Sequence, residues 1–229
     1  MDHRCHRIIN PYNYCNMESF SVYKDRALAS LKGNWDKGVI ATVIYLVIVG
    51  VGSNIFSTLF KPEVGGILSL VWFFVSLPLV WGFYVYFLRL IRKEDVAYGR
   101  LFDGYKGNWQ RIFSTTALQY IYTFLWALLL IIPGIIKSFS YAMTPYILKD
   151  NPELSNNASI EKSMAMMDGH KMELFLLELS FIGWIILGVI TFGIGMLLVE
   201  PYMVTTIAHF YEDLKKEYEG IKAEPAPAE

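Results

Sequence analysis

Long apolar stretches alternate with short polar ones over most of the chain, and several exceed the roughly eighteen residues that a helix needs to cross a bilayer. The pattern predicts six transmembrane segments, at residues 39–60, 67–90, 112–132, 134–148, 172–192 and 195–211. The fourth segment is shorter and less apolar than the others. We therefore expect an all-α fold, a polytopic membrane helix bundle in which the six segments form three hairpins.

A similar motif precedes each of the three hairpins. The copies are LKGNWDKGV, YKGNWQRIF and the weaker MDGHKMELF, at residues 31–39, 105–113 and 167–175. In each copy, apolar residues two and five positions before the aligned glycine share one helical face. This spacing predicts short amphipathic helices at residues 22–31, 96–105 and 159–167. We expect them to lie along the membrane interface. The alternative is that they are loops whose apolar residues plug the bundle.

The glycine of each copy lies where the chain would turn from the interface into the bilayer. These residues are Gly33, Gly107 and Gly169. We expect each to act either as a left-handed helix cap or through close packing. Trp35 and Trp109 follow two of the glycines and are predicted to be interfacial anchors. The repeat divides a single integral membrane domain, residues 17–218, into three units at about 20–93, 94–150 and 155–216.

The two ends of the chain differ in composition from this domain. Residues 1–16 lack periodicity and are predicted to be a floppy leader or an upstream start, and residues 219–229 a disordered tail. His3, Cys5, His6 and Cys15 lie in the leader, but their spacing matches no standard zinc pattern. We therefore predict no metal site.

The lysines and arginines predict the orientation of the bundle. Nearly all of them lie before the first segment, in the loops after the second and fourth segments, and after the sixth. The opposite side has Lys61 and, at its edge, Lys137. This asymmetry predicts that both termini are cytoplasmic. A five-segment alternative, which merges residues 112–148 into one crossing, would place the C-terminal lysines outside and is disfavoured.

The composition limits the classes of function. The chain is 54% hydrophobic and 18% charged with a net charge of -1, so it has neither a large soluble domain nor a dominant basic surface for nucleic acid. Metalloprotease, serine-hydrolase and P-loop motifs are absent from the sequence, and we predict no enzymatic activity and no cofactor. The expected partners are membrane lipids and either another membrane protein or a second copy of the chain.

Polar residues inside the predicted bilayer are candidate site residues. Lys137 follows Pro133 and Gly134, the predicted turn of the second hairpin, by about one helical turn. It can snorkel to the headgroups, or it can pair with Glu200, which lies at a similar predicted depth in the third hairpin. The remaining candidates are Tyr141, Thr144, Glu178, Tyr202 and His209.

Three long stretches resemble a known family. They are SLKGNWDKG, LLLIIPGIIKSFSYAMTPYILKDNPELS and DGHKMELFLLELSFIGWIILGVITFGIGMLLVEPY. They closely resemble bacterial integral membrane proteins known as domain-of-unknown-function family nine hundred seventy-five, over roughly Phe20–Tyr218. The resemblance implies a bacterial cytoplasmic membrane location. It brings no activity, substrate or catalytic residue.

Two functions are compatible with these features. The first is a non-enzymatic membrane scaffold that binds lipids or an envelope protein. The second is a small-molecule or ion transporter that uses the intramembrane polar residues. A transporter requires a water-accessible cavity that reaches those residues, whereas a scaffold would hold them paired and dry.

Overall fold

The computed structural model describes residues 19–223, and every regular element in that part of the chain is helical. The helices are α1 (Phe20–Leu31), α2 (Trp35–Leu46), α3 (Gly52–Leu59), α4 (Pro62–Ile91), α5 (Trp109–Leu129), α6 (Ile131–Tyr141), α7 (Thr144–Asp150), α8 (Asn156–Met166), α9 (Lys171–Leu179), α10 (Ile182–Ile190) and α11 (Met196–Ala223). A π-helical turn, Val47–Val51, joins α2 to α3, and a 3-10 helix, Tyr98–Tyr105, lies between α4 and α5. The expected all-helical class is confirmed.

Four segments of the described chain are long and apolar enough to cross a membrane. They are Trp35–Phe56, Pro62–Ile91, Trp109–Leu129 and Lys171–Ile190. They correspond to the first, second, third and fifth predicted segments. The predicted fourth segment is divided between α6 and α7, and the sixth falls in the first half of α11. The fourth and sixth predicted segments are therefore not among the four segments that are long and apolar enough to cross a membrane.

The longest helix, α4, runs unbroken for 30 residues. Pro62 begins it, where a missing N–H costs no hydrogen bond, and Pro78 is accommodated in its interior. The 3-10 helix packs closely on α4 because both surfaces carry a glycine at the contact. A Cβ on Gly82 would collide with the carbonyl of Leu101, and a Cβ on Gly104 would collide with the carbonyl of Pro78.

The turn of the second hairpin lies earlier than the sequence predicts. Leu130 has an extended backbone between α5 and α6, and Pro133 lies within the first turn of α6, where proline is tolerated. A Cβ on Gly134 would lie 2.6 Å from the Cα of Ala127, so this glycine allows close packing of the two arms. The prediction that Pro133 and Gly134 form the turn is therefore wrong.

The three motif glycines share a left-handed backbone, with φ of 81° at Gly33, 57° at Gly107 and 86° at Gly169. A Cβ at any of them would meet no atom within 4 Å. Their role is therefore the left-handed cap, because any other residue would be strained there even though there is room for a side chain.

Each of these glycines follows a short helix, as expected, although the second is a 3-10 helix. In α1, however, Tyr23, Ala27 and Leu31 are fully buried in the protein core. This segment is therefore a helix rather than a loop, but its apolar residues pack into the protein core rather than into lipid.

The bundle has two unlike ends. The packed end comprises residues 20–45, 76–119, 137–181 and 199–218, and it contains the hydrophobic core. The apolar end comprises residues 46–75, 120–136 and 182–198, where most of the large apolar side chains are exposed. The connections between α3 and α4, between α5 and α6, and between α10 and α11 all fall within the apolar end.

The predicted terminal segments are only partly described. Residues 219–223, placed in the tail by the sequence, continue α11. The predicted leader and residues 224–229 lie outside the described part of the chain.

Candidate functional site

A cluster of charges ties the packed end together around Asp150, the last residue of α7. Arg92, directly after α4, donates from both terminal guanidinium nitrogens to the two Asp150 oxygens, each at 2.7 Å. Tyr211 Oη and Lys215 Nζ, both on α11, donate to Asp150 Oδ2 at 2.9 and 2.8 Å. One carboxylate therefore joins three helices that are distant in sequence.

The electrostatics of Asp150 follow from this geometry. Burial acts to raise the pKa of Asp150, but the hydrogen bonds from Arg92, Lys215 and Tyr211 outweigh it and hold that pKa well below its ordinary value. Arg92 also donates from Nε to Glu212 at 2.6 Å. The hydrogen bond to Asp150 is the main cause that raises the Arg92 pKa.

Further ion pairs at the packed end link other elements. Arg26 of α1 pairs with Asp213 of α11 at 2.6 Å, and Arg89 of α4 pairs with Asp103 of the 3-10 helix at 2.6 Å. Arg111 donates to the carbonyls of Leu154 and Asn151, each at 2.7 Å. These contacts satisfy the charges within the protein, so the cluster holds helices together and offers no free carboxylate for a ligand.

The predicted Lys137–Glu200 pair does not form. The Lys137 ammonium lies over the ring of Trp126, 5.2 Å from its centroid, and 3.9 Å from Met164 Sδ. Glu200 is half-buried and makes no ion pair with any residue from 19 to 223. The expectation failed because similar depth along two helices does not bring their facing sides together.

The polar side chains of α11 are covered by other parts of the protein. His209 Nε2 lies 2.9 Å from Ser30 Oγ on α1, and Tyr202 packs edge-on against Phe181 with ring centroids 5.0 Å apart. Thr205 and Thr206 are fully buried and donate to the carbonyls four residues earlier in the helix. These side chains do not line a common space.

Two predicted site residues lie beside a break between α6 and α7. Tyr141 ends α6 and is buried, and Thr144 begins α7. The hydroxyls of Thr144 and Tyr146 are buried and have no hydrogen-bond partner among residues 19–223. Buried polar groups are ordinarily paired, so these two require an explanation.

A cavity of about 270 Å³ opens next to this break. Its walls come from α4, α5, α6, α7, α9 and α11. The polar and aromatic residues that line it are Trp81, Tyr84, Thr116, Gln119, Tyr120, Thr123, Ser138, Phe139 and Glu178. A second break, between α9 and α10, begins two residues after Glu178. Among the predicted site residues, the cavity therefore reaches Glu178 but not Lys137, Glu200 or His209.

Glu178 is the only charged residue that lines this cavity. Its side-chain carboxylate makes no hydrogen bond and no ion pair with any residue from 19 to 223. An ionised carboxylate without a partner is costly in an apolar environment. Unlike Asp150, Glu178 thus has no partner for its carboxylate within residues 19–223.

Across residues 19–223, no three His, Cys, Asp or Glu side chains lie close enough together to hold a metal ion. The leader residues lie outside the described chain.

Sequence reasoning missed both the Asp150 cluster and most of the cavity. One signal was present for the cluster. Arg92 and Asp150 each lie just after a predicted segment that would return as the second arm of a hairpin, residues 67–90 and 134–148. Predicted second arms that run in the same direction would end at the same side. The cavity residues Tyr84, Gln119 and Tyr120 carry no such signal, because their meeting depends on how the helices pack.

The comparisons with known proteins agree with the resemblance seen in the sequence. Residues 127–218 match a family model described as "Protein of unknown function (DUF975)". This segment is therefore similar to the DUF975 family. The DUF975 match includes α6 to α10 and most of α11, and with them Lys137, Glu178, Glu200 and His209. It is narrower than the expected extent from Phe20. No curated protein and no solved structure matches the chain.

Proposed function

We propose that the chain is a polytopic membrane protein that acts as a non-enzymatic scaffold for lipids or for an envelope protein. In this proposal its helices enter a bacterial cytoplasmic membrane as three hairpins from the cytoplasmic side. Each hairpin follows a short helix and a left-handed glycine.

Helix lengths support the hairpin arrangement. At 1.5 Å per residue, the 21 residues of α5 extend about 32 Å, close to the ~30 Å of a bilayer core. The broken return arm, α6 and α7, covers a similar distance if its two pieces are stacked. The 28 residues of α11 are long enough to cross and then extend beyond the membrane.

The distribution of charge supports the orientation. The ion pairs lie at the packed end, and the tips of the second and third hairpins, within residues 120–136 and 182–198, carry no charged residue. The tip of the first hairpin carries Lys61 and Glu63. Positively charged residues favour the cytoplasmic side, so the packed end would be cytoplasmic.

One observation favours a scaffold over a transporter. The polar side chains that a transporter was expected to use are separated and packed on protein: Lys137 on Trp126, His209 on Ser30, and Tyr202 on Phe181. A permeation path needs polar groups that share a hydrated space.

Cysteine accessibility tests both parts of the proposal. Cys5 and Cys15 are replaced by serine, and single cysteines are introduced at Lys61, Glu200, His209 and Glu219. A membrane-impermeant maleimide is then applied to right-side-out and inverted vesicles. We expect Lys61→Cys to react from outside only, Glu219→Cys from inside only, and Glu200→Cys and His209→Cys from neither side.

Each result has a distinct meaning. Labelling of Glu219→Cys from outside would refute the proposed topology. Labelling of Glu200→Cys or His209→Cys would refute the dry interior on which the scaffold rests.

The cavity at Glu178 favours transport as a second candidate function. The same assay addresses it with Glu178→Cys and a small thiosulfonate reagent. Reaction from both sides of the membrane would support transport, and reaction from one side or neither would count against it.

A further inference from the structure

We propose that the cavity beside Glu178 is a binding site for a small organic cation, an amine or a quaternary ammonium group. The proposal stands independently of the scaffold function. It requires only that a ligand enters the cavity and does not require that the ligand crosses the membrane.

Two hydroxyl groups of the cavity already donate their protons to the backbone. Thr123 donates its hydroxyl proton to the carbonyl of Gln119 at 2.9 Å, and Ser138 donates to the carbonyl of Ile135 at 2.7 Å. Each hydroxyl oxygen is then left to accept a hydrogen bond from a ligand. The indole N–H of Trp81 donates to the carbonyl of Pro145 at 2.9 Å and is therefore also occupied.

The charge of the cavity has one sign. Glu178 has no cationic neighbour within ion-pair distance among the described residues, and the lining contains no lysine, arginine or histidine. A cationic ligand would pair with the Glu178 carboxylate, because a charge removed from water is stabilised by an opposite charge held close to it.

Aromatic rings in the cavity wall also favour a cation. Four of them line the cavity, on Trp81, Tyr84, Tyr120 and Phe139. Aromatic faces attract ammonium groups, and desolvation strengthens this attraction. The hydrogen bond from Trp81 to α7 fixes its ring in the cavity wall, so the site is organised before a ligand binds.

The size of the cavity fits a compact ligand. A volume of 270 Å³ is far more than the ~10–15 Å³ that one water molecule needs. Anions are disfavoured by Glu178, and an apolar ligand would leave the polar groups unsatisfied. Carboxylate, acceptor oxygens and aromatic faces together select for a cation with a small apolar surface.

The experiment uses the full chain purified in a maltoside detergent, which carries no ammonium group. Choline is titrated at constant ionic strength, and the thermal unfolding midpoint and the heat of binding are recorded. Its neutral isostere, 3,3-dimethylbutan-1-ol, is titrated in parallel. We expect choline to bind and to raise the midpoint, and the neutral isostere to bind at least about tenfold more weakly.

Substitutions locate the site. Glu178→Gln should weaken choline binding at least about tenfold and leave the response to the neutral isostere unchanged. Glu161→Gln, which makes the same chemical change at an exposed position on α8 outside the cavity, should bind choline like the unmodified chain. Thr123→Val, close in shape to threonine, should weaken binding about threefold and provides a second variant if Glu178→Gln fails to fold.

A lipid headgroup is another source of the same ammonium chemistry. Phosphatidylethanolamine replaces choline in a second arm, with phosphatidylglycerol as its control. Stabilisation by choline that is lost in Glu178→Gln supports a soluble cation, and stabilisation by phosphatidylethanolamine alone, lost in the same variant, supports a lipid ammonium group. Equal binding of choline and its isostere, together with no difference between the two lipids, would overturn the proposal, as would unchanged binding in Glu178→Gln.

Discussion

The packed end and the apolar end are built largely from the same helices, yet their apolar side chains differ in burial. In α4, Leu70 and Val71 are exposed, whereas Leu77, Leu79 and Leu88 are fully buried. One continuous helix therefore has exposed apolar side chains at one end and side chains buried in the protein core at the other. A helix that is apolar on all sides needs burial in protein or lipid, and α4 uses protein at one end only.

The charges show the same contrast. At the packed end Asp150 is held by Arg92, Tyr211 and Lys215. At the apolar end, Leu128, Ile131 and Phe192 are 73%, 75% and 99% exposed, and their hairpin tips carry no charge. The comparison teaches that specific pairing orders the packed end, whereas the exposed apolar tips depend on the surrounding medium. The following predictions test this difference.

The largest effect is expected when the Asp150 cluster is broken. Asp150→Asn keeps the shape of the side chain but leaves Arg92 and Lys215 without their shared carboxylate. Loss of one partner from a buried ion pair costs about 3–5 kcal/mol of unfolding free energy. Thermal unfolding in maltoside detergent measures it.

Arg100→Ala serves as the control for this substitution. It removes an exposed pair with Asp95, and exposed pairs contribute at most about 1 kcal/mol. Equal losses in the two variants would show that the cluster does not order the packed end.

A charge placed at an uncharged tip should impair membrane insertion. Ile131→Asp puts a carboxylate at a tip that carries no charged residue, at a cost of about 2.5–3.5 kcal/mol if the position lies deep in the bilayer. Leu59→Asp, two residues before Lys61, should cost less because that tip already carries charge. The fraction of protein that resists alkaline extraction from membranes measures the effect. Equal extraction of both variants would place the two tips at the same depth.

Acid should weaken the packed end through Asp150. Its folded-state pKa is lowered below the unfolded value, so its contribution to stability is complete above the unfolded pKa of about 4 and is lost as pH falls through the folded value. Titration of Asp150 should therefore change the thermal unfolding midpoint little between pH 7 and pH 5. At pH values below about 4, the midpoint should decrease. In Asp150→Asn this fall should be shallower. Parallel pH profiles for the two proteins would contradict the assignment.

The smallest effect is expected at the glycines. Gly169→Ala places a side chain on a backbone with φ of 86°, which should cost about 1–2 kcal/mol although the space is open. Gly183→Ala lies inside α10, where the space is equally open and alanine favours the helix, so it should be neutral or stabilising by up to about 1 kcal/mol. The thermal unfolding midpoints of the two variants measure this difference. A loss at Gly183 as large as that at Gly169 would mean that backbone conformation is not the cause.

Much of the local structure could be predicted from residue patterns. The four long apolar helices follow from runs of hydrophobic residues, and the left-handed glycines follow from a motif repeated before each hairpin. The turn at Leu130 was missed because proline is allowed in the first turn of a helix as well as in a tight turn.

The candidate site was only partly predictable. Glu178 stands out because it is a charge in an apolar run, and this needs no knowledge of its neighbours. The pairing of Lys137 with Glu200 was inferred from depth alone and failed, since the rotation of each helix about its axis decides what its side chains contact.

By itself, the sequence determined that this is a helical protein with segments able to cross a membrane, where its left-handed glycines lie, and which charges lie in apolar surroundings. These properties depend on neighbours within a few residues, because hydrophobic runs, caps and turns are local. Only the tertiary structure decided that Asp150 is paired and Glu178 is not. That distinction depends on which faces of distant helices meet, and many packings of the same helices satisfy the same local pattern.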